Sequence, residues 1–177
     1  MKIHFDTLLQ SQRARGAVLA AGALLCLGAG LVHALERAPV LSLDVAQKMA
    51  EAVKAKAAEK GWRMNVSIVD SGANPLLFER MDGAPLGSGQ HAQMKAELSA
   101  RFGQPTRWAG ELAWGKDNKG GALPGVADLP GFVTFPGGLP IKVGDLTIGA
   151  VGVSGSLPEN DEICAQAGLD AVKALLK

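Results

Sequence analysis

Three charged side chains stand near one another in the sequence with the chemistry of an anion-handling site: Arg80, Asp82 and Lys95. An expected strand ends close to Arg80, a loop from Asp82 to Gly89 follows, and the next helix carries Lys95. A guanidinium grips a carboxylate through paired N–H donors, and an amine drawn out of water becomes a base or an imine-forming nucleophile. Gly137 and Gly138 would add backbone N–H groups toward the same anion. The plainer reading pairs Arg80 with Asp82 to fix the loop and leaves Lys95 on the surface, since ion pairs commonly serve structure.

His91 is the only imidazole and Cys164 the only thiol after residue 34, so a closed zinc site lacks its ligands. His91 follows a glycine-rich loop at a helix start, where its ring faces solvent or a bound flat molecule. Its plainer reading is a surface helical residue with no partner. Thr106, directly after Pro105, reads as the N-cap of a further helical turn, ahead of a ligand-binding role. Trp108 and Trp114 either stack on a flat ligand or pack back on the core. Cys164 lies on an apolar stripe and is expected to be an inert core thiol.

The elements that must hold these groups are legible in the spacing. Val45, Met49, Val53 and Ala57 recur every four residues after Ser42, which predicts a helix that Gly61 stops. Met64, Val66 and Ile68 alternate with Asn65 and Ser67 in a strand, and the turn Asp70–Pro75 leads to a hairpin partner over Leu76–Met81. A helix from about Gln90 to Phe102 carries Ala92, Ala96 and Ala100 as a small-residue face, and Pro105 ends it. The Gly- and Pro-rich stretch from Trp108 to Pro136 reads as a short helical turn and a long surface excursion. Strands are expected over Phe132–Phe135, Leu139–Val143 and Leu146–Val153, the last two joined at Gly144-Asp145. Gly149 and Gly152 would let a backbone or ligand approach the last strand. A capping box at Ser156–Glu159 opens a final helix whose buried stripe is Cys164, Gly168, Val172 and Leu175. The order predicts an α+β fold: a five-stranded antiparallel sheet flanked by helices.

At the N-terminus, Lys2, Arg13 and Arg15 precede an uncharged apolar run over 17–32, and Val32 and Ala34 are compact enough for a signal peptidase. Residues 1–34 are expected to be a cleaved secretion signal, which places the protein in the periplasm or outside the cell. The alternative is an uncleaved membrane anchor, although the run is a little short of the roughly 20 residues that span a bilayer. The full chain has 18 basic and 17 acidic residues, and losing Lys2, Arg13, Arg15 and Asp6 leaves 15 and 16. Without a block of like charge, residues 35–177 carry no electrostatic footprint for nucleic acid or for an acidic membrane. They have the length of one domain, and Cys164 alone cannot close an internal disulfide.

Five ordered segments together resemble one family. They are Val69-Asp70-Ser71-Gly72, then Glu79-Arg80-Met81-Asp82-Gly83-Ala84, then Lys95 through Phe102 to Pro105-Thr106, then Gly137-Gly138-Leu139-Pro140-Ile141, and Ile148 through Gly155 ahead of Asp161-Glu162. This is similar to the GlcG/HbpS-like haem-binding family, which includes the C-terminal domain of PduO-type proteins, and the likeness runs from about Leu41 to the C-terminus. It implies a profilin-like sheet with flanking helices, homo-oligomers, and for some members a bound haem or other tetrapyrrole. Under that resemblance His91 becomes the candidate iron ligand, and Lys95, one helical turn on, would meet a propionate. Haem would be held non-covalently, because the chain has no Cys-x-x-Cys-His segment. The leading expectation is therefore an exported, non-enzymatic haem- or tetrapyrrole-binding protein. Its alternatives are an enzyme acting on a small anionic metabolite through Arg80, Asp82 and Lys95, and an accessory subunit of an exported redox enzyme. Fold likeness alone does not decide among them.

Overall fold

The computed structural model describes residues 38–177, so the expected signal or anchor lies outside the described residues. Helix α1 spans Leu43–Glu59. Ser42 caps it as expected, its hydroxyl accepting from the Val45 amide at 3.3 Å. Ala46, Met49, Ala50, Val53 and Ala57 form its buried stripe, and Gly61, with φ +73°, turns the chain away. Strands β1 (Asn65–Asp70) and β2 (Pro75–Arg80) follow, then α2 (Ser88–Phe102) and α3 (Thr106–Trp114). Two short 3-10 turns precede β3 (Gly138–Val143), β4 (Leu146–Ser154) and α4 (Pro158–Val172).

The sheet is antiparallel, in the order β2-β1-β4-β3. Pro75, which has no N–H to donate, opens the edge strand β2, where the missing donor is tolerated. On one face, Val66, Ile68, Leu139, Ile141, Val151 and Val153 pack with α1 and α4 into the main core. The opposite face is covered by α2. For that reason Asn65 and Ser67, which alternate with the apolar residues of β1, are also buried.

That second layer depends on missing side chains. A Cβ on Gly152 would lie 2.1 Å from the Ala92 carbonyl oxygen and 2.5 Å from the Ala96 nitrogen, and one on Gly138 would lie 2.4 Å from the Lys95 carbonyl oxygen. The α2 backbone therefore rests directly on the sheet through its alanine face, as the Ala92, Ala96 and Ala100 spacing implied.

Among the described residues the sheet has four strands, not five. Phe132–Phe135 forms no strand, because its side chains are claimed by helices: Val133 packs with Leu98 and Ala109, and Phe132 joins Phe102 and Trp108. Helix α3 lies against the same segment, so closely that a Cβ on Gly110 would meet the Thr134 carbonyl oxygen at 2.3 Å. Pro136 removes a further ladder donor. Three smaller expectations are also revised. Helix α4 starts at Pro158 without a side-chain cap: Leu157 holds the N-cap position, and the Ser156 hydroxyl accepts instead from Asn160 Nδ2 at 3.0 Å. Leu175 lies past the helix end and is exposed. Thr106 is the first residue of α3 and makes no capping bond.

Candidate functional site

The first turns of α2, the end of β4 and the start of α4 surround a hollow of about 430 Å³, with Phe135 closing one side. His91, Ser88, Ser154, Ser156 and Asp161 contribute its polar groups. Its volume falls within the range of small-molecule sites, and its lining is largely apolar. One buried amide ties the rim together. Asn65 Nδ2 donates to Ser88 Oγ at 2.7 Å, to the Pro85 carbonyl at 3.3 Å and to the Ser154 carbonyl at 3.4 Å, so β1 pins the α2 start to the β4 end.

His91 is exposed at this rim, and the described residues give its ring nitrogens no hydrogen-bond partner. Its neighbour is Phe135, with ring centroids 5.9 Å apart and planes at 81°. That edge-to-face arrangement sets the positive ring edge of one aromatic against the negative face of the other.

Lys95, one turn further along α2, is fully buried. Its Nζ donates to Asp161 Oδ2 at 2.7 Å and to the Val153 carbonyl at 3.0 Å, and lies 5.0 Å from the Phe135 ring centroid. A carboxylate, a carbonyl and an aromatic face thus surround the ammonium. Burial pushes the Lys95 amine below its ordinary value, opposed by the charge of Asp161; burial likewise pushes the Asp161 carboxyl up, opposed by Lys95. The ion pair is sealed beneath the hollow, and only its acidic member reaches the lining.

The remaining sequence candidates are dispersed. Arg80 and Asp82 are exposed, and among the described residues no hydrogen bond or ion pair joins them to each other or to Lys95. Thr106 is buried, and its Oγ1 accepts from the Gly138 amide at 3.0 Å, fastening α3 to β3. Gly137, with φ +123°, passes the ion pair so closely that a Cβ would lie 2.7 Å from Lys95 Nζ and 2.9 Å from Asp161 Cβ. These two glycines therefore make room for the Lys95 side chain and backbone. Cys164 is buried and free, and burial pushes its thiol up to about 11, which keeps it protonated and inert. Trp108 packs on Phe102, while Trp114 lines a separate hollow of about 320 Å³ with Arg107, Lys116 and Glu159.

Sequence reasoning missed Asn65, Phe135 and Asp161 as site residues. Asn65 had a signal, a side-chain amide at the head of an apolar strand. Asp161 stood out only within the last of the five family segments, and Phe135 as part of an expected strand.

A family model described as haem-degrading protein HbpS-like matches residues 41–170. A 15.0 kDa protein encoded in the dhaT-dhaS intergenic region of Citrobacter freundii is 36% identical over 137 residues, 76% of this chain and 94% of that protein. The crystal structure of Klebsiella pneumoniae ORFY superposes with a TM-score of 0.75 at 34% identity, covering 82% of this chain and 99% of its own. The crystal structure of a PduOC:heme complex superposes with a TM-score of 0.67 at 25% identity, covering 75% of this chain and 95% of its own.

Proposed function

The chain belongs to the HbpS-like family, and from that membership together with the His91 hollow we propose that it is an exported haem-binding protein. The observation that carries the reading is an exposed imidazole whose nitrogens are free of described partners, standing at the rim of a largely apolar hollow. These residues suit the group: Phe135, Pro85 and Pro158 offer apolar walls to a porphyrin face, and His91 offers a nitrogen ligand. When bound, haem would supply a redox-active iron, which the His91 nitrogen would hold. The chain's own part is to hold the imidazole at the rim, to keep the apolar walls in place through Asn65 and the Lys95–Asp161 pair, and to exclude water from the floor. A solved structural relative in complex with haem supports the same ligand.

Haemin titration tests it directly. The Soret band of haemin is expected to shift on addition of the protein, and His91→Ala to weaken binding about a hundredfold, since even outer-shell partners of metal ligands cost 10–100-fold when removed. No shift with the unaltered protein would remove the reading.

The description of the family as haem-degrading favours a second reading, turnover of the bound group. A Soret band that persists for hours under reductant and air selects binding alone, and one that decays only with His91 present selects turnover. Chemistry on a small anionic metabolite gains no support from the site, because the Lys95 amine is enclosed.

Export rests on the charged-then-apolar order of residues 1–34. Intact-mass measurement on protein from the cell envelope or medium is expected to find Leu35 at the N-terminus, and the full-length chain in the cytosol would overturn this part.

A further inference from the structure

We infer that Phe135 is a positioning residue: its ring transmits the fixed geometry of the buried Lys95–Asp161 pair to the imidazole of His91. The proposal rests on the haem reading and says what holds the ligand nitrogen in a single orientation.

An exposed histidine on a first helical turn ordinarily samples several staggered rotamers. Here one face of the problem is closed by an aromatic edge-to-face contact, at 5.9 Å between centroids and 81° between planes. Phe135 itself is 37% exposed and belongs to no strand or helix, so it needs its own anchor. That anchor is the Lys95 ammonium, 5.0 Å from the ring centroid. A cation prefers the ring face and an aromatic edge-to-face partner also uses the ring's quadrupole, so the two contacts together define the ring plane. The ammonium in turn cannot move, because Asp161 and the Val153 carbonyl hold it and solvent does not reach it.

The backbone agrees with this chain of contacts. Pro136 restricts the rotation that follows Phe135, and Gly137 sits at φ +123° with room for no Cβ beside Lys95 Nζ and Asp161 Cβ. The loop therefore presents Phe135 to the hollow from a pivot that is seated on the ion pair. Lys95 and His91 are linked through this ring, with no need for both to touch the same ligand.

Phe135→Leu keeps an apolar side chain of similar reach and deletes the ring, while Phe135→Trp keeps a ring face and edge. In the ligand-free protein, the ring-proton resonances of His91 are expected to move in Phe135→Leu and to stay dispersed and single in Phe135→Trp. On haemin titration, Phe135→Leu is expected to bind about tenfold more weakly, in line with loss of a partner that orients a metal ligand. Its ferric electron paramagnetic resonance lines should broaden, as the imidazole plane becomes heterogeneous, and Phe135→Trp should restore both affinity and line width.

His91 resonances and haemin binding that are unchanged in Phe135→Leu would overturn the inference, and so would an equal loss of affinity in both variants, which would mean that Phe135 only touches the ligand. If the unaltered protein bound no haemin while His91 resonances still moved in Phe135→Leu, the haem reading would fall and the positioning contact would stand.

Discussion

Replacing Lys95 with methionine is expected to lower the folding free energy by about 3–5 kcal/mol, the typical loss when one partner of a buried ion pair is removed. The reason lies in what remains. Methionine fills the space of the side-chain stem, but Asp161, 2% exposed, then keeps a carboxylate in the interior faced by the backbone amides of Ser156 and Gly155 and by no opposite charge. The melting temperature should fall by about 6–20 °C, at roughly 2–4 °C per kcal/mol. The loss should itself depend on pH. In the variant the Asp161 carboxyl stands still further above the ordinary 3.8, since the opposing charge of Lys95 is gone. A group with a raised folded-state pKa binds more protons folded than unfolded, so the variant should regain stability as pH falls through that raised value toward 3.8. The double variant Lys95→Met with Asp161→Leu should recover most of the loss, because it buries no unpaired charge. Thermal melts of the three proteins at pH 7 and pH 5 decide the matter. A single variant as stable as the parent, or a double variant no better than the single, would show that the pair does not hold this floor.

The second large effect belongs to a residue with no side chain. Gly152→Ala should destabilise the fold by about 3 kcal/mol or more, the upper range for overpacking, because both atoms in the way are backbone. The new Cβ would stand 2.1 Å from the Ala92 carbonyl oxygen and 2.5 Å from the Ala96 nitrogen, and neither can rotate aside. Relief requires lifting α2 from the sheet, which would carry His91 and Lys95 with it. Haemin affinity should therefore fall together with stability. Gly87→Ala is the matched control, with open space around its Cβ and φ −66°, and should stay within about 0.5 kcal/mol of the parent. Chemical denaturation of both variants measures the contrast. Equal midpoints would mean that the helix does not rest on Gly152.

Much of the fold was legible because its elements are locally encoded. Ser42, the four-residue apolar spacing and Gly61 bound α1 without reference to any other part of the chain. The Gly144-Asp145 turn joins β3 to β4 in the expected hairpin, and the alanine face of α2 announced a close approach to something flat. The family was legible too, in five segments that the HbpS-like match then spanned. The strand expected at Phe132–Phe135 failed for the opposite reason. Alternation and aromatic content describe what a segment can pair with, while Leu98 and Ala109 on two helices determined what it did pair with.

The site divides along the same line. Residue type and local spacing by themselves determined that one imidazole stands after a glycine-rich loop at the head of a helix, and that residues 35–177 hold no second histidine and no cysteine pair to share its work. Only the tertiary structure decided that Lys95 is internal, that its partner is Asp161, 66 residues away, and that a loop phenylalanine lies between that pair and His91. The physical reason is range. Helix caps and turns are fixed by interactions across a few residues, whereas the desolvation that makes an ion pair costly, and the packing that aims an aromatic ring, arise only when distant segments close over one another.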